Sequence, residues 1–428
     1  MTQSKLVEKK YLVPFIIVTS LFALWGFAND ITNPLVAAFR TIMEISNAKA
    51  ALIQLAFYGG YATMAIPAAL FVRKYSYKKA IILGLALYAI GALLFIPAAA
   101  FEMFGFFLAS LYILTFGLAF LETTANPYIL SMGSVDTSTR RLNLAQSFNP
   151  LGSIFGMFIA ANVILASLQS DSGNVVFETL SLAEKAAIRT HDLAVIRNPY
   201  VVLGLVVIAM IVLFVVAKMP NTRSENPQSS VRASFKRLFN TSLYRQGVIA
   251  QVFYVGVQIM CWTFIIHYAE RLGLSKAEAQ RYNMVAMGLF ILFRFVSTFL
   301  MRFFNSRRLL MAFAIGGMLT IAGAIFIQGM GGLYCLIATS AFMSLMFPTI
   351  YGISLEGIGE DATLGAAGLV MAIVGGALMP PLQGMIIDLE SILGMPAVNF
   401  SFVLPFICFL VIARFGLVSL HLQKQTVN

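Results

Sequence analysis

The sequence predicts an all-α membrane protein with twelve transmembrane helices in two pseudo-symmetric halves of six. Three observations lead there. Hydrophobic residues make up 59% of the 428-residue chain and charged residues only 11%, against about 25% charged in a soluble protein. So much apolar surface cannot be hidden in a water-soluble core of this length, and lipid must be the solvent. Second, the apolar residues gather into twelve runs, at 12–37, 50–72, 78–99, 104–132, 143–168, 199–218, 244–270, 278–301, 308–328, 331–356, 363–388 and 395–420. Each is close to the roughly 20 residues a helix needs to cross a bilayer. Third, motifs in the first six runs recur in the last six at a shared offset of about 220–230 residues, as internal repeats do.

The elements follow in order. Lys5, Lys9 and Lys10 precede the first run, but that run is too long for a signal-peptide core and no small-residue cleavage site follows, so it reads as a retained helix. Very short turns make neighbouring runs antiparallel hairpins. Basic residues concentrate on one side: the N-terminal lysines, Arg73, Lys74, Lys78, Lys79, Arg140, Arg141, the segment 218–245, Arg302, Arg307 and Arg308. The opposite side holds one long loop, about 169–198, mixing Asp171, Glu178 and Glu184 with Lys185 and Arg189. An excess of Lys and Arg marks the cytoplasmic face, so both termini and the middle linker are expected there. That linker divides the chain into a half at 1–218, a linker at 219–243 and a half at 244–428. The echoes are "RKYSYKK" with "RFFNSRR", "ANPYI" with "MFPTI", and "QSFNPLGSIFG" with "MAIVGGALMPP". Parallel six-helix repeats are an architecture of membrane transporters.

The composition also excludes. The net charge of +11 sits in short segments between apolar runs, which argues against a nucleic-acid binder. Cys261, Cys335 and Cys408 lie within apolar runs at spacings that fit neither a metal site nor a disulfide framework. With no Walker loop, no HExxH and histidines scattered at 191, 267 and 421, an intramembrane enzyme, a cofactor and a metal are not expected.

Polar residues inside lipid need a reason, since an ionisable group there costs at least about 2.5–3.5 kcal/mol. Glu122 stands in "FGLAFLETTANPYIL", near the middle of the bilayer by position. It is either a structural carboxylate held by neighbouring helices or a group that takes and releases a proton. Pro127 follows and leaves the Thr123 carbonyl without its helical donor. The first run carries Asn29, Asp30 and Asn33 in "LWGFANDITNP"; these are site residues or the outer end of the helix. Asn143, Gln146 and Asn149 recur every three residues in "RLNLAQSFNP", a ladder of amides along one face. Amides donate and accept, which suits a neutral, hydroxyl-rich ligand, with Gln146 and Asn149 the better candidates and Asn143 a cap at the cytoplasmic end. Tyr254, Gln258 and Trp262 follow at i, i+4 and i+8 in "FYVGVQIMCW", aromatic faces beside an amide, as in sugar sites. Trp262 also fits an interfacial belt, as does His267. Arg294 either pairs with an acid or snorkels to the cytoplasmic edge.

With "FALWGFANDITNP", "ALIQLAFYGGYATMAIPA", "LETTANPY", "RLNLAQSFNPLG" and "VGVQIMCWTFIIHYA" in view, the chain resembles the sugar:proton symporters of the major facilitator superfamily over nearly its whole length. The nearest branch is that of L-fucose:proton symporters and glucose/galactose transporters. The resemblance implies a major facilitator fold in a bacterial inner membrane, alternating access, and uptake of L-fucose or a related hexose with protons by a monomer. In L-fucose symporters one acid on helix 4 and one on helix 1 serve proton coupling and sugar binding. Glu122 matches the helix-4 acid; the helix-1 position aligns with Asn33, and Asp30 aligns with an amide. Proton coupling is therefore expected of Glu122 and Asp30, and substrate binding of Asn29, Asn33, Gln146, Asn149, Tyr254, Gln258 and Trp262. The rivals are a sodium-coupled glucose/galactose carrier, a drug exporter and a sugar receptor that does not transport.

Overall fold

A computed structural model describes residues 6–32, 35–45, 49, 52–170, 180–220, 230–274, 276–389 and 391–427. Among them twelve helices are long and apolar enough to cross a membrane. In chain order these are α1 (Lys9–Thr32), α2 (Leu55–Lys74), α3 (Tyr77–Ala100), α4 (Phe104–Leu130), α5 (Val135–Ser167), α6 (Leu182–Val216), α7 (Ser242–Arg271), α8 (Glu278–Leu300), α9 (Ser306–Phe326), α10 (Met330–Ser354), α11 (Gly359–Ile387) and α12 (Ala397–Gln423).

Several helix ends differ from the sequence reading, α5 starting at Val135 and not at 143 among them; three of the differences have a local cause. Helix α6 starts at Leu182, not at 199. Ser181 and Glu184 form a capping box: the Glu184 carboxylate accepts from the Ser181 N–H at 3.0 Å while the Ser181 hydroxyl accepts from the Glu184 N–H. Such reciprocal capping starts a helix before the apolar run begins. Lys185 and Arg189, expected in a loop, therefore stand on α6, where both pair with Glu44, at 2.6 and 3.3 Å. Asp171 and Glu178 lie outside the described residues. Before α12, Met395–Pro396 pairs antiparallel with Ser391–Ile392, so the helix starts at Ala397 and not at 395. The first apolar run ends as a spanning helix at Thr32, and a separate short helix, Leu35–Ile42, follows.

Among the described residues five of the twelve helices are interrupted, α3 at Leu94, α12 at Phe402 and three more at proline- or glycine-bearing sequence. Helix α5 breaks between Gln146 and Asn149, α10 between Met343 and Met346, and α11 passes through a 3₁₀ turn at Ala372–Val374. Pro150 follows the break in α5 and Pro348 the break in α10. Proline supplies no N–H and crowds the preceding turn, so an interruption just before it is its usual effect.

The chain packs as two compact units. The N-unit comprises Lys9–Tyr128 and Phe148–Glu225; the C-unit comprises Met1–Glu8, Ile129–Ser147 and Asn226–Asn428. Segment 129–147, which the sequence assigns to the first half, thus belongs to the C-unit, where the first half of α5 packs on α8 and on the second half of α10.

Within the N-unit, α1 lies along the second half of α5, and α3 packs on α6. Phe95 and Tyr200 stack with centroids 3.9 Å apart, and the Tyr200 hydroxyl bonds Thr32 at 2.8 Å. Buried Asp192 on α6 accepts from the backbone N–H groups of Gln169 and Ser170, both at 2.9 Å, and so ties down the end of α5. The contact between α1 and α5 is made backbone to backbone: a Cβ at Gly152 would overlap the Ala23 carbonyl. Trp25 is buried on α1, edge-on to Phe22 at 4.3 Å.

Within the C-unit, α7 packs on α11 and α12, α9 on α10 and α12, and α8 on α10. The device seen at Gly152 recurs here: a Cβ at Gly375, just past the break in α11, would overlap the Val252 carbonyl of α7. Small residues let membrane helices approach this closely. Arg141, one of the basic residues that the sequence places between apolar runs, is fully buried. Its guanidinium donates to the Ile129 and Leu130 carbonyls at the end of α4, and to the Leu6 carbonyl at 2.9 Å. It thus satisfies acceptors that every helix end leaves open.

Candidate functional site

The N-unit carries the acids. Glu122 lies on α4 a little over two turns before the helix ends, 9% exposed, beside fully buried Thr123, Thr124 and Asn126. Thr124 donates to the Phe120 carbonyl, the Asn126 amide donates to the Glu122 carbonyl at 2.9 Å, and the Thr123 hydroxyl has no hydrogen-bond partner among the described residues. Among the described residues no group donates a hydrogen bond to the Glu122 carboxyl. Tyr61 of α2 is close enough to feel its charge, and Tyr58, one turn earlier, feels that of Asp30. Neither tyrosine stands out in the sequence reading, although "FYGGYATM" carries two phenols three residues apart in an apolar run.

Asn29 and Asp30 are half-buried near the end of α1. Asn33 lies outside the described residues. Asn149 is half-buried at the start of the second half of α5, and its amide donates to the Phe22 carbonyl at 3.2 Å. That bond consumes a donor and leaves the amide oxygen as an acceptor.

The expected ladder of amides is divided. The break in α5 falls between Gln146 and Asn149, so Asn143 and Gln146 belong to the C-unit and Asn149 to the N-unit. Asn143 does not cap a helix end: fully buried, it donates to the Thr139 carbonyl and to the Thr349 hydroxyl, tying α5 to α10. Gln146 is buried at the last turn before the break.

On α7 the three candidates differ in what they leave available. Tyr254 is fully buried and its hydroxyl donates to the Met343 carbonyl at 3.2 Å. Trp262 is half-buried; its indole N–H donates to Ser340 at 3.2 Å and its ring meets Phe290 edge-on at 5.0 Å. Gln258 is half-buried, and its amide has no hydrogen-bond partner among the described residues. His267, one of the belt candidates, is exposed.

Arg294 on α8 does not snorkel, and among the described residues it pairs with no acid. It is 3% exposed, donates from Nε to the Ser344 carbonyl at 2.6 Å and from Nη1 to the Gln146 carbonyl at 3.1 Å, and lies over the Phe290 ring at 4.7 Å. Among the described residues no cluster of His, Cys, Asp or Glu could hold a metal ion.

A buried acid and a half-buried one, scattered amides and aromatic faces, all within membrane-spanning helices, form the chemistry of a hydrophilic solute path. The comparisons with known proteins agree. The family model of the Major Facilitator Superfamily matches residues 17–380. An L-fucose-proton symporter of Haemophilus influenzae is 66% identical, over 96% of this chain and 98% of that protein. A glucose/galactose transporter of Brucella abortus is 30% identical, over 96% of this chain and 95% of that protein. A crystal structure of the superfamily transporter FucP in the outward conformation matches with a TM-score of 0.88 at 34% identity, covering 96% of this chain and 99% of that one. The chain therefore belongs to the Major Facilitator Superfamily, in the branch of L-fucose permeases and glucose/galactose transporters.

Proposed function

We propose that this chain imports L-fucose or a closely related neutral hexose together with a proton, by alternating access, and that it is a carrier and not an enzyme. The observation that carries the reading is Glu122: a carboxyl buried on a membrane-spanning helix with no hydrogen bond to it among the described residues. A charge held this way is costly, and the cost disappears on protonation. The cycle follows from that difference. Glu122 takes a proton from the outside, sugar binds, and the neutral, loaded state closes and reopens at lower cost than the charged one. Release of sugar and proton to the inside leaves an empty carrier that returns with its carboxyl deprotonated and takes its next proton from the outside, so each cycle moves one proton inward with the sugar. A ligand shifts such an equilibrium only by its differential affinity for the two states, and here proton and sugar share that task.

Asp30 serves as the second proton-linked acid, near the Tyr58 phenol. Sugar contacts are assigned to Asn29, Asn33, Gln146, Asn149, Tyr254, Gln258 and Trp262. Gln258, with its uncommitted amide, is the contact best prepared to meet a hydroxyl. The functional halves are 1–218 and 244–428, joined by the linker 219–243. The recurrence of the Gly152 contact at Gly375 supports that repeat. Both termini face the cytoplasm, as the basic residues suggest, and each chain works as a monomer in a bacterial inner membrane. Sodium coupling is the less favoured reading, because the relative at 66% identity is a proton symporter.

The test is uptake by the purified chain in liposomes. A sugar panel of fucose, galactose, glucose, mannose and arabinose is offered with and without an inward proton gradient, at fixed and then varied sodium. Fucose should accumulate with the proton gradient alone. Accumulation that follows sodium and ignores the proton gradient would sink the proton reading.

A further inference from the structure

Arg294 has a role that no part of the transport cycle above gives it. Its two acceptors share a property. The helical donor to the Gln146 carbonyl would be the N–H of residue 150, and that to the Ser344 carbonyl the N–H of residue 348. Both positions are proline, which has no N–H. Arg294 therefore donates to the two carbonyls that Pro150 and Pro348 strip of partners, at 3.1 and 2.6 Å. A guanidinium presents its donors in a rigid fork and keeps its charge, so one side chain holds the end of the first half of α5 and the break of α10 at once.

The same side chain touches the proposed sugar contacts of the C-unit. It bonds Gln146 directly through the backbone. It lies over one face of Phe290, whose ring meets Trp262 edge-on at 5.0 Å. Tyr254 stands beside the guanidinium and bonds Met343, the residue before Ser344. Three candidate contacts from two helices are thus referred to one fixed group.

We propose that Arg294 is a positioning residue for sugar recognition: it clamps the proline-bared carbonyls of Gln146 and Ser344 and, through them and Phe290, sets where Gln146, Tyr254 and Trp262 stand. The proposal rests on the reading of the chain as a sugar carrier. A group that only stabilised the fold would change how many carriers are active, hence the maximal rate, and leave the KM of the survivors alone. A positioning group changes KM.

The experiment measures initial fucose uptake by the full chain in liposomes, with the number of folded carriers counted by size-exclusion recovery. Arg294→Gln should raise the sugar KM about tenfold, the scale of one well-placed interaction, with the rate per folded carrier within about threefold of the parent. Arg294→Lys, a compact charge without the fork that spans both carbonyls, should fall between the two. If Arg294→Gln does not fold, Arg294→Gln with Pro150→Ala and Pro348→Ala returns an N–H to each bared carbonyl. Its KM is compared with that of Pro150→Ala/Pro348→Ala carrying Arg294. A raised KM in the variant lacking Arg294 supports the proposal; an equal KM in both overturns it. An unchanged KM in Arg294→Gln also overturns it. Failure of the unmodified chain to take up any sugar of the panel would instead overturn the carrier reading, so the two failures are told apart.

Discussion

Each unit buries a charge in its membrane helices, and the two are treated in opposite ways. In the C-unit, Arg294 is 3% exposed and its fork is occupied by two carbonyls and an aromatic face. In the N-unit, Glu122 is 9% exposed, and among the described residues nothing donates to its carboxyl. A guanidinium cannot shed its proton in a protein, so the only way to bury it is to satisfy it. A carboxyl has a second way, which is to become neutral. The satisfied charge is a fixture and the unsatisfied one is a moving part. Burial alone does not distinguish structural from functional charges in a membrane protein; the partners do.

Removing the moving part should have the largest effect. Glu122→Gln is expected to abolish concentrative uptake while exchange of labelled for unlabelled sugar between equal pools continues. If the variant still drives sugar uphill on a proton gradient, Glu122 is a fixture too and the contrast with Arg294 fails. Next comes a pair that should behave alike in the two units. Gly152→Ala and Gly375→Ala each push a methyl into a facing backbone carbonyl, and each should cost about 1–3 kcal/mol, read as thermal unfolding in detergent. A loss confined to one of them would show that the repeat is packed unequally. Smaller again is Gln258→Ala, which removes an uncommitted amide. It should weaken sugar binding about fivefold, the worth of roughly 1 kcal/mol of hydrogen bonding, without changing thermal stability, because nothing in the fold leans on it. The smallest effect is expected at the rim of the N-unit. Glu44→Gln loses the pairing with Lys185 and Arg189 at the surface, worth at most about 1 kcal/mol and less in high salt. A larger loss would mean that surface charge carries more of the N-unit than its buried polar groups do.

What could be read from the sequence follows the same division. Spanning helices announce themselves by apolar length, and a carboxyl in such a run announces itself by being there, so the twelve spans and Glu122 were legible. The start of α6 was not, because residues 182–198 are amphipathic and are held by a capping box and by Glu44, which lies far away in sequence. The continuous amide ladder failed for a local reason: Pro150 was in plain view, but the turn it disrupts lies before it, between Gln146 and Asn149. Asn143 looked like a cap because amides often sit at helix ends; its partner Thr349 is on another helix, and only packing reveals it. The partners of Arg294 were the least legible. They are backbone carbonyls, which carry no residue signature, and they are available only because two prolines on other helices withhold their N–H groups. The useful signal is thus a pairing of features: a buried arginine in a chain whose other spanning helices contain proline.

The two tryptophans of the chain have a practical consequence. Trp25 belongs to the N-unit and Trp262 to the C-unit. The first has a buried indole N–H with no partner among the described residues, and the second donates its N–H to Ser340. An indole in a dry, unbonded setting emits at shorter wavelength than one that is bonded and half-buried. Nature has therefore supplied one spectrally distinct lamp per unit. Replacing either with phenylalanine leaves a single-fluorophore carrier in which sugar binding and protonation can be watched separately, without attaching any dye.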